Sequence, residues 1–148
     1  MVKIHLNQIP SERIYLKLHK KVIDWAINLI RKCNYVLDSK TNEQLYRFKI
    51  GKKISIDLVK KIIRILDLEN EFVERNIKLI TSCKNTNIGV KNPKFPINFT
   101  NNEGVRIISA VMGDGEINNQ IMVRYNNQNK NLIDSILNCF KQVFGDID

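Results

Sequence analysis

The residues best suited to chemistry lie in the stretch Ile107-Ile108-Ser109-Ala110-Val111-Met112-Gly113-Asp114-Gly115. Ser109 and Gly113 are small and four apart, so on a helix they share one face and let a second helix approach backbone to backbone. Asp114 then stands at the end of the close-packed helix. Two such helices bring two carboxylates together. Paired carboxylates beside a phosphodiester can hold Mg2+, activate water and stabilise the leaving oxygen. On this logic Asp114 is both the candidate catalytic residue and the candidate metal ligand.

Other reactive side chains form no pattern. Cys33, Cys83 and Cys139 contain no C-x-x-C pair, so zinc has no sequence support. An odd number of cysteines does not make a disulfide framework, and the expectation is three buried, reduced thiols. His5 and His19 have no partner at ligand spacing.

These residues must be carried by a chain of 148 residues with 43% hydrophobic and 26% charged side chains, a composition that excludes a disordered tail or a set of membrane spans. The N-terminus, Met1-Val2-Lys3-Ile4-His5-Leu6-Asn7, has no signal-peptide core, so a cytoplasmic protein with no membrane partner is expected. Charge is uneven. Residues 1–100 hold 20 basic and 9 acidic side chains, and residues 101–148 hold 4 and 6. A basic segment joined to a mildly acidic one points to a polyanion-binding part with an appended unit.

Periodicity predicts a mainly helical chain. Pro10-Ser11 opens a first helix with Ile14, Leu18, Val22, Trp25 and Ile30 inward. Residues 42–50 read either as a helix capped by Thr41 and ended by Gly51, or as a strand with Tyr46, Phe48 and Ile50 alternating. Ser55 caps a helix bearing Leu58, Ile62, Ile65 and Leu66, and a further helix is expected over about 70–83. Asn92-Pro93-Lys94-Phe95-Pro96 must be extended and marks the boundary between residues 1–92 and 93–148. Thr100-Asn101-Asn102-Glu103 has the form of a capping box for the helix that ends at Asp114. Asn118-Asn119 is a plausible tight turn, Gln120 to Tyr125 reads as a strand, and Leu132 to Phe144 as a last amphipathic helix.

Residues 107–115 resemble the LAGLIDADG motif of homing endonucleases and intein endonuclease domains. Ser109 and Gly113 match its small packing positions, Asp114 its acidic metal ligand and Gly115 its closing glycine. The stretch from Gln120-Ile121-Met122-Val123-Arg124-Tyr125-Asn126-Asn127 through Leu132-Ile133 to Phe144-Gly145-Asp146 is similar to archaeal members of that family. The likeness covers about residues 93–148 and implies a partial α-β-β-α unit, because the family's repeat is α-β-β-α-β-β-α. One motif stands where the nuclease needs two, in one chain or across a homodimer. Asp114 therefore reads either as a metal ligand or as a helix-end carboxylate in a relict motif.

Residues 41–53, followed by Ser55 to Leu66, resemble the recognition-helix half of phage-repressor-like helix-turn-helix domains. Thr41 matches the cap, Leu45 and Phe48 the core positions and Gly51 the turn, which favours helix over strand for 42–50. The resemblance implies that Asn42, Gln44 and Arg47 face base edges. It implies that Thr41, Lys49, Lys52 and Lys53 contact phosphates.

The fold expected is thus α+β, mainly α. A helical helix-turn-helix-like domain over 1–92 is followed by a truncated LAGLIDADG-like unit over 93–148. The function expected is binding of double-stranded DNA without cleavage. One alternative is a homodimeric, Mg2+-dependent site-specific endonuclease that pairs through the helix bearing Ser109 and Gly113. Another is a transcriptional regulator that uses the C-terminal part to dimerise.

Overall fold

The computed structural model describes residues 3–118 and 122–147. Helix accounts for about 51% of the chain against 17% strand, so the class is α+β with helix dominant. In chain order the first elements are β1 (Lys3–Ile4), a single 3-10 turn at Leu6–Gln8, β2 (Tyr15–Leu18), α1 (Lys20–Lys32) and α2 (Ser39–Lys49). They continue with β3 (Ile54–Ser55), α3 (Ile56–Ile65), α4 (Asn70–Glu74), β4 (Ile77–Thr81) and β5 (Val90–Lys91). The last six are β6 (Ile97–Asn98), α5 (Asn102–Asp114), β7 (Gly115–Asn118), β8 (Met122–Tyr125), α6 (Lys130–Phe144) and β9 (Asp146–Ile147).

Two expected helices are in part strands. The first does not begin at Ser11: Tyr15–Leu18 is β2, and α1 starts only at Lys20. Leu16 and Leu18 are both buried while Tyr15 and Lys17 are half-buried, a period of two that the helical spacing of Ile14, Leu18 and Val22 had masked. The second stops at Glu74, and Ile77, Leu79 and Thr81 turn inward on β4. β2 and β4 pair antiparallel, with Leu16 opposite Ile80 and Lys17 opposite Leu79. Each strand makes sense only beside the other, because their partners lie about 60 residues away in sequence.

The sheet runs β3-β2-β4-β5-β9, and every neighbouring pair is antiparallel. Against it packs the main core, in which Leu16, Ile56, Val59 and Phe48 are nearly inaccessible. Each fully buried side chain of this size stabilises the fold by about 1.5–3 kcal/mol relative to exposure. A smaller core joins Ile107, Cys139 and Val143 to Phe99, Phe140 and Phe144. Phe140 stacks on Phe144 at 5.5 Å, and Phe99 meets Phe144 edge-on at 5.6 Å. The first and last strands each pair with the segment around residues 90–98: β1 with β6, and β9 with β5.

Caps also differ from the expected residues. Asp38, not Thr41, caps α2, with its carboxylate accepting from the Thr41 N–H at 2.8 Å. Gly51, at φ +75°, takes the chain out of the helix. Asn101, not Thr100, caps α5 by accepting from the Gly104 N–H at 2.8 Å, and Thr100 instead donates to Asn98. A Cβ on residue 104 would lie 2.5 Å from the Phe99 Cα, so only glycine fits there. β7 and β8 form a hairpin with Glu116 opposite Arg124. The expected turn at Asn118-Asn119 and the start of the strand at Gln120-Ile121 involve residues 119–121, which lie outside the described residues. No helix among the described residues is long and apolar enough to cross a membrane.

Candidate nucleic-acid interface

α2 turns one side to the core and the other to solvent. Thr41 and Phe48 are buried and Leu45 half-buried, whereas Asn42, Glu43, Tyr46, Lys49 and the following Ile50 are exposed. Successive residues of a helix step about 100° around its axis. Tyr46, 64% exposed, therefore stands at the centre of the outward face. Asn42 and Lys49 flank it on one side, Glu43 and Arg47 on the other.

The Arg47 flank opens into a groove of about 850 Å³. Three segments line it. Lys17 comes from β2, Arg47, Lys52 and Lys53 from α2 and its turn, and Lys84 with Asn85 from the loop after β4. The one carboxylate in this groove is Glu43, which already accepts from Arg47 at 2.8 Å. Across Ile50 and Gly51 a second cleft is lined by Lys20, Lys49 and Lys78, again with Lys17, and by no acidic residue. A continuous basic surface thus surrounds the C-terminal end of α2. Its cations come from segments far apart in sequence: Lys17, Arg47 and Lys49, Lys52 and Lys53, Lys78 and Lys84.

The residues singled out from sequence divide. Arg47, Lys49, Lys52 and Lys53 lie on this surface. Asn42 opens onto a different cleft, between α1 and α2, and its amide donates to the Leu37 carbonyl at 3.1 Å. Gln44 is half-buried and sits about 160° around the helix from Asn42, so the two do not face one groove. Thr41 is only 5% exposed. Its hydroxyl donates to Asp38 at 2.6 Å and accepts from Lys61 at 2.7 Å, so it is committed to the start of α2 and does not join this surface. The Lys61 ammonium, then the Thr41 hydroxyl and N–H, hold the Asp38 carboxyl far below the usual carboxylate range. Tyr46, Lys17 and Lys84 were not singled out. Tyr46 was legible as the one aromatic on the polar side of a helical reading, whereas Lys17 and Lys84 carry no local signal.

Cys33 and Cys83 are exposed and Cys139 is buried, so two of the three thiols expected in the core lie at the surface. Cys83 directly precedes Lys84 and Asn85, which line the basic groove. The Asn85 N–H draws its thiol below the ordinary range, aided by Thr86 and by the charge of Lys53, whose ammonium donates to the Thr86 carbonyl.

The C-terminal motif has a simpler geometry. Asp114 is exposed at the end of α5 and accepts from the Asn127 amide at 3.1 Å. Tyr125, Asn126 and Gln128 complete the shallow depression around it. No group of three metal-ligating side chains occurs among the described residues. Ser109 and Gly113 are exposed, and a Cβ at 113 would meet open space. They therefore do not pack within the chain. They share the outer face of α5 with Val105, Ile108 and the 81% exposed Met112. None of the known family models, curated proteins or solved structures matches this chain.

Proposed function

We propose that this protein binds double-stranded DNA, with the outward face of α2 at the duplex and the basic surface beside it on the phosphates. One observation carries the reading: cations from β2, α2, the Gly51 turn and the loop after β4 converge around an exposed tyrosine, and the single carboxylate among them is already paired. A helix of this width fits the major groove, and lysines to either side of it reach the two flanking backbones. Arg47, on the groove flank of that face, has the side chain suited to reading a guanine edge, provided that it exchanges Glu43 for the base. Asn42 and Gln44, which the helix-turn-helix resemblance offered for that role, are left out of it. The C-terminal resemblance to LAGLIDADG endonucleases supports a kinship with DNA-handling proteins, and the single motif, where the nuclease needs two, favours holding DNA over cutting it.

A second reading has an observation of its own. The exposed apolar face of α5, with Ser109 and Gly113 on it, could seat the same face of a second copy and bring two Asp114 carboxylates together as a Mg2+ site. One assay separates the two readings. Duplex DNA from the genomic neighbourhood of the gene is incubated with wild type and with Asp114→Asn, with and without Mg2+. The binding reading predicts equal retardation by both proteins and no nicking. Specific Mg2+-dependent nicks lost in Asp114→Asn would establish the nuclease instead.

A further inference from the structure

Between α1 and α2, on the far side of Tyr46 from the basic groove, lies a cleft of about 510 Å³, within the range of small-molecule sites. Ile27, Ile30, Leu37 and Leu45 give it an apolar part, and Asn34, Asn42 and the two tyrosines a polar one. Two cations, Arg31 and Lys49, stand in its lining, which contains no carboxylate. Neither side chain has a partner among the described residues. A cleft that sets two unpaired cations beside a patch of aliphatic side chains is complementary to a small molecule with an apolar body and one anionic group.

We propose that this cleft is a binding site for such an amphipathic anion, and that its occupancy opposes DNA binding. Tyr46 lines both the cleft and the basic groove, and Lys49 lines both the cleft and the second basic cleft. A ligand that holds these two side chains withdraws them from the duplex. The second half of the proposal rests on the DNA-binding reading, and the first half does not.

The test uses the full chain and 1-anilinonaphthalene-8-sulfonate, a fluorescent probe with this chemistry. Without DNA, the probe should bind saturably at one site per chain. N-phenyl-1-naphthylamine, which lacks the sulfonate, should bind about tenfold or more weakly. Arg31→Gln combined with Lys49→Gln should weaken the sulfonate by a similar factor. Both residues are exposed, so the variant should keep the wild-type circular dichroism and melting curve. Non-saturable binding, equal binding of the neutral analogue, or a variant affinity within twofold of wild type would overturn the site. Duplex DNA should then displace the bound probe. A ternary complex with both affinities unchanged would overturn the linkage and leave the site standing, whereas absence of any DNA binding would be a failure of the DNA reading alone.

Discussion

At the scale of single residues, two side chains report on the surface around α2. The Cys83 thiol is exposed, drawn down by the Asn85 N–H and bordered by Lys53 and Lys84. Its reaction with iodoacetamide should therefore persist below pH 8, where an ordinary thiol with a pKa of about 8.5 becomes slow. Saturating duplex DNA should slow that reaction several-fold, which mass spectrometry of the modified peptide would measure. A rate unaffected by DNA would place the duplex elsewhere. Asp38 anchors the start of α2 through Thr41 and Lys61. Its folded-state pKa is depressed, so its stabilising effect is full above the unfolded value of about 3.8 and is lost as pH falls through the folded value. Asp38→Asn should lower the melting temperature by a near-constant amount from pH 7 to about 5, and the gap should close only well below pH 4. Neither behaviour was legible in the sequence. Asp38 gives no local sign of its partner, since only the fold brings Lys61 to it from 23 residues away.

At the scale of elements, α3, α5 and α6 could be read from apolar spacing and end signals, since their cues are local, whereas the spacing over α2 fitted helix and strand alike. Ser55 accepts from the Leu58 N–H, and Gly51 and Gly145 end helices at positive φ, as their residue types foretell. β2 and β4 could not be read in the same way. Leu16, Leu18, Ile77 and Leu79 are buried by pairing across the sheet, and a short apolar run says nothing about a distant partner. The outer face of α5 is the element whose surroundings matter most. Val105, Ile108 and Met112 lie one turn apart on that face and are exposed. If a second copy covers them, Met112→Glu should shift the chain from dimer to monomer in sedimentation equilibrium without changing its circular dichroism, since Met112 is largely exposed in the single chain. A wild-type chain that sediments as a monomer at high micromolar concentration would remove this face from the account.

At the scale of the whole molecule, the imbalance of 20 basic over 9 acidic side chains in residues 1–100 acquires a location. Many of these charges gather around the C-terminal end of α2, where β2 and the loop after β4 contribute as much as the helix. Sequence showed that the charge existed and that α2 carried part of it. It could not show that Lys17 and Lys84 join Arg47, because that meeting depends on the β2–β4 pairing. The most direct measurement is fluorescence anisotropy of a labelled duplex over 50–300 mM salt, with wild type and with Lys17→Gln/Lys52→Gln/Lys84→Gln. Wild-type log Kd should rise linearly with log salt, and loss of three phosphate contacts should reduce that slope by about 2 to 3. An affinity indifferent to salt, or an identical slope for the variant, would contradict DNA binding at this surface.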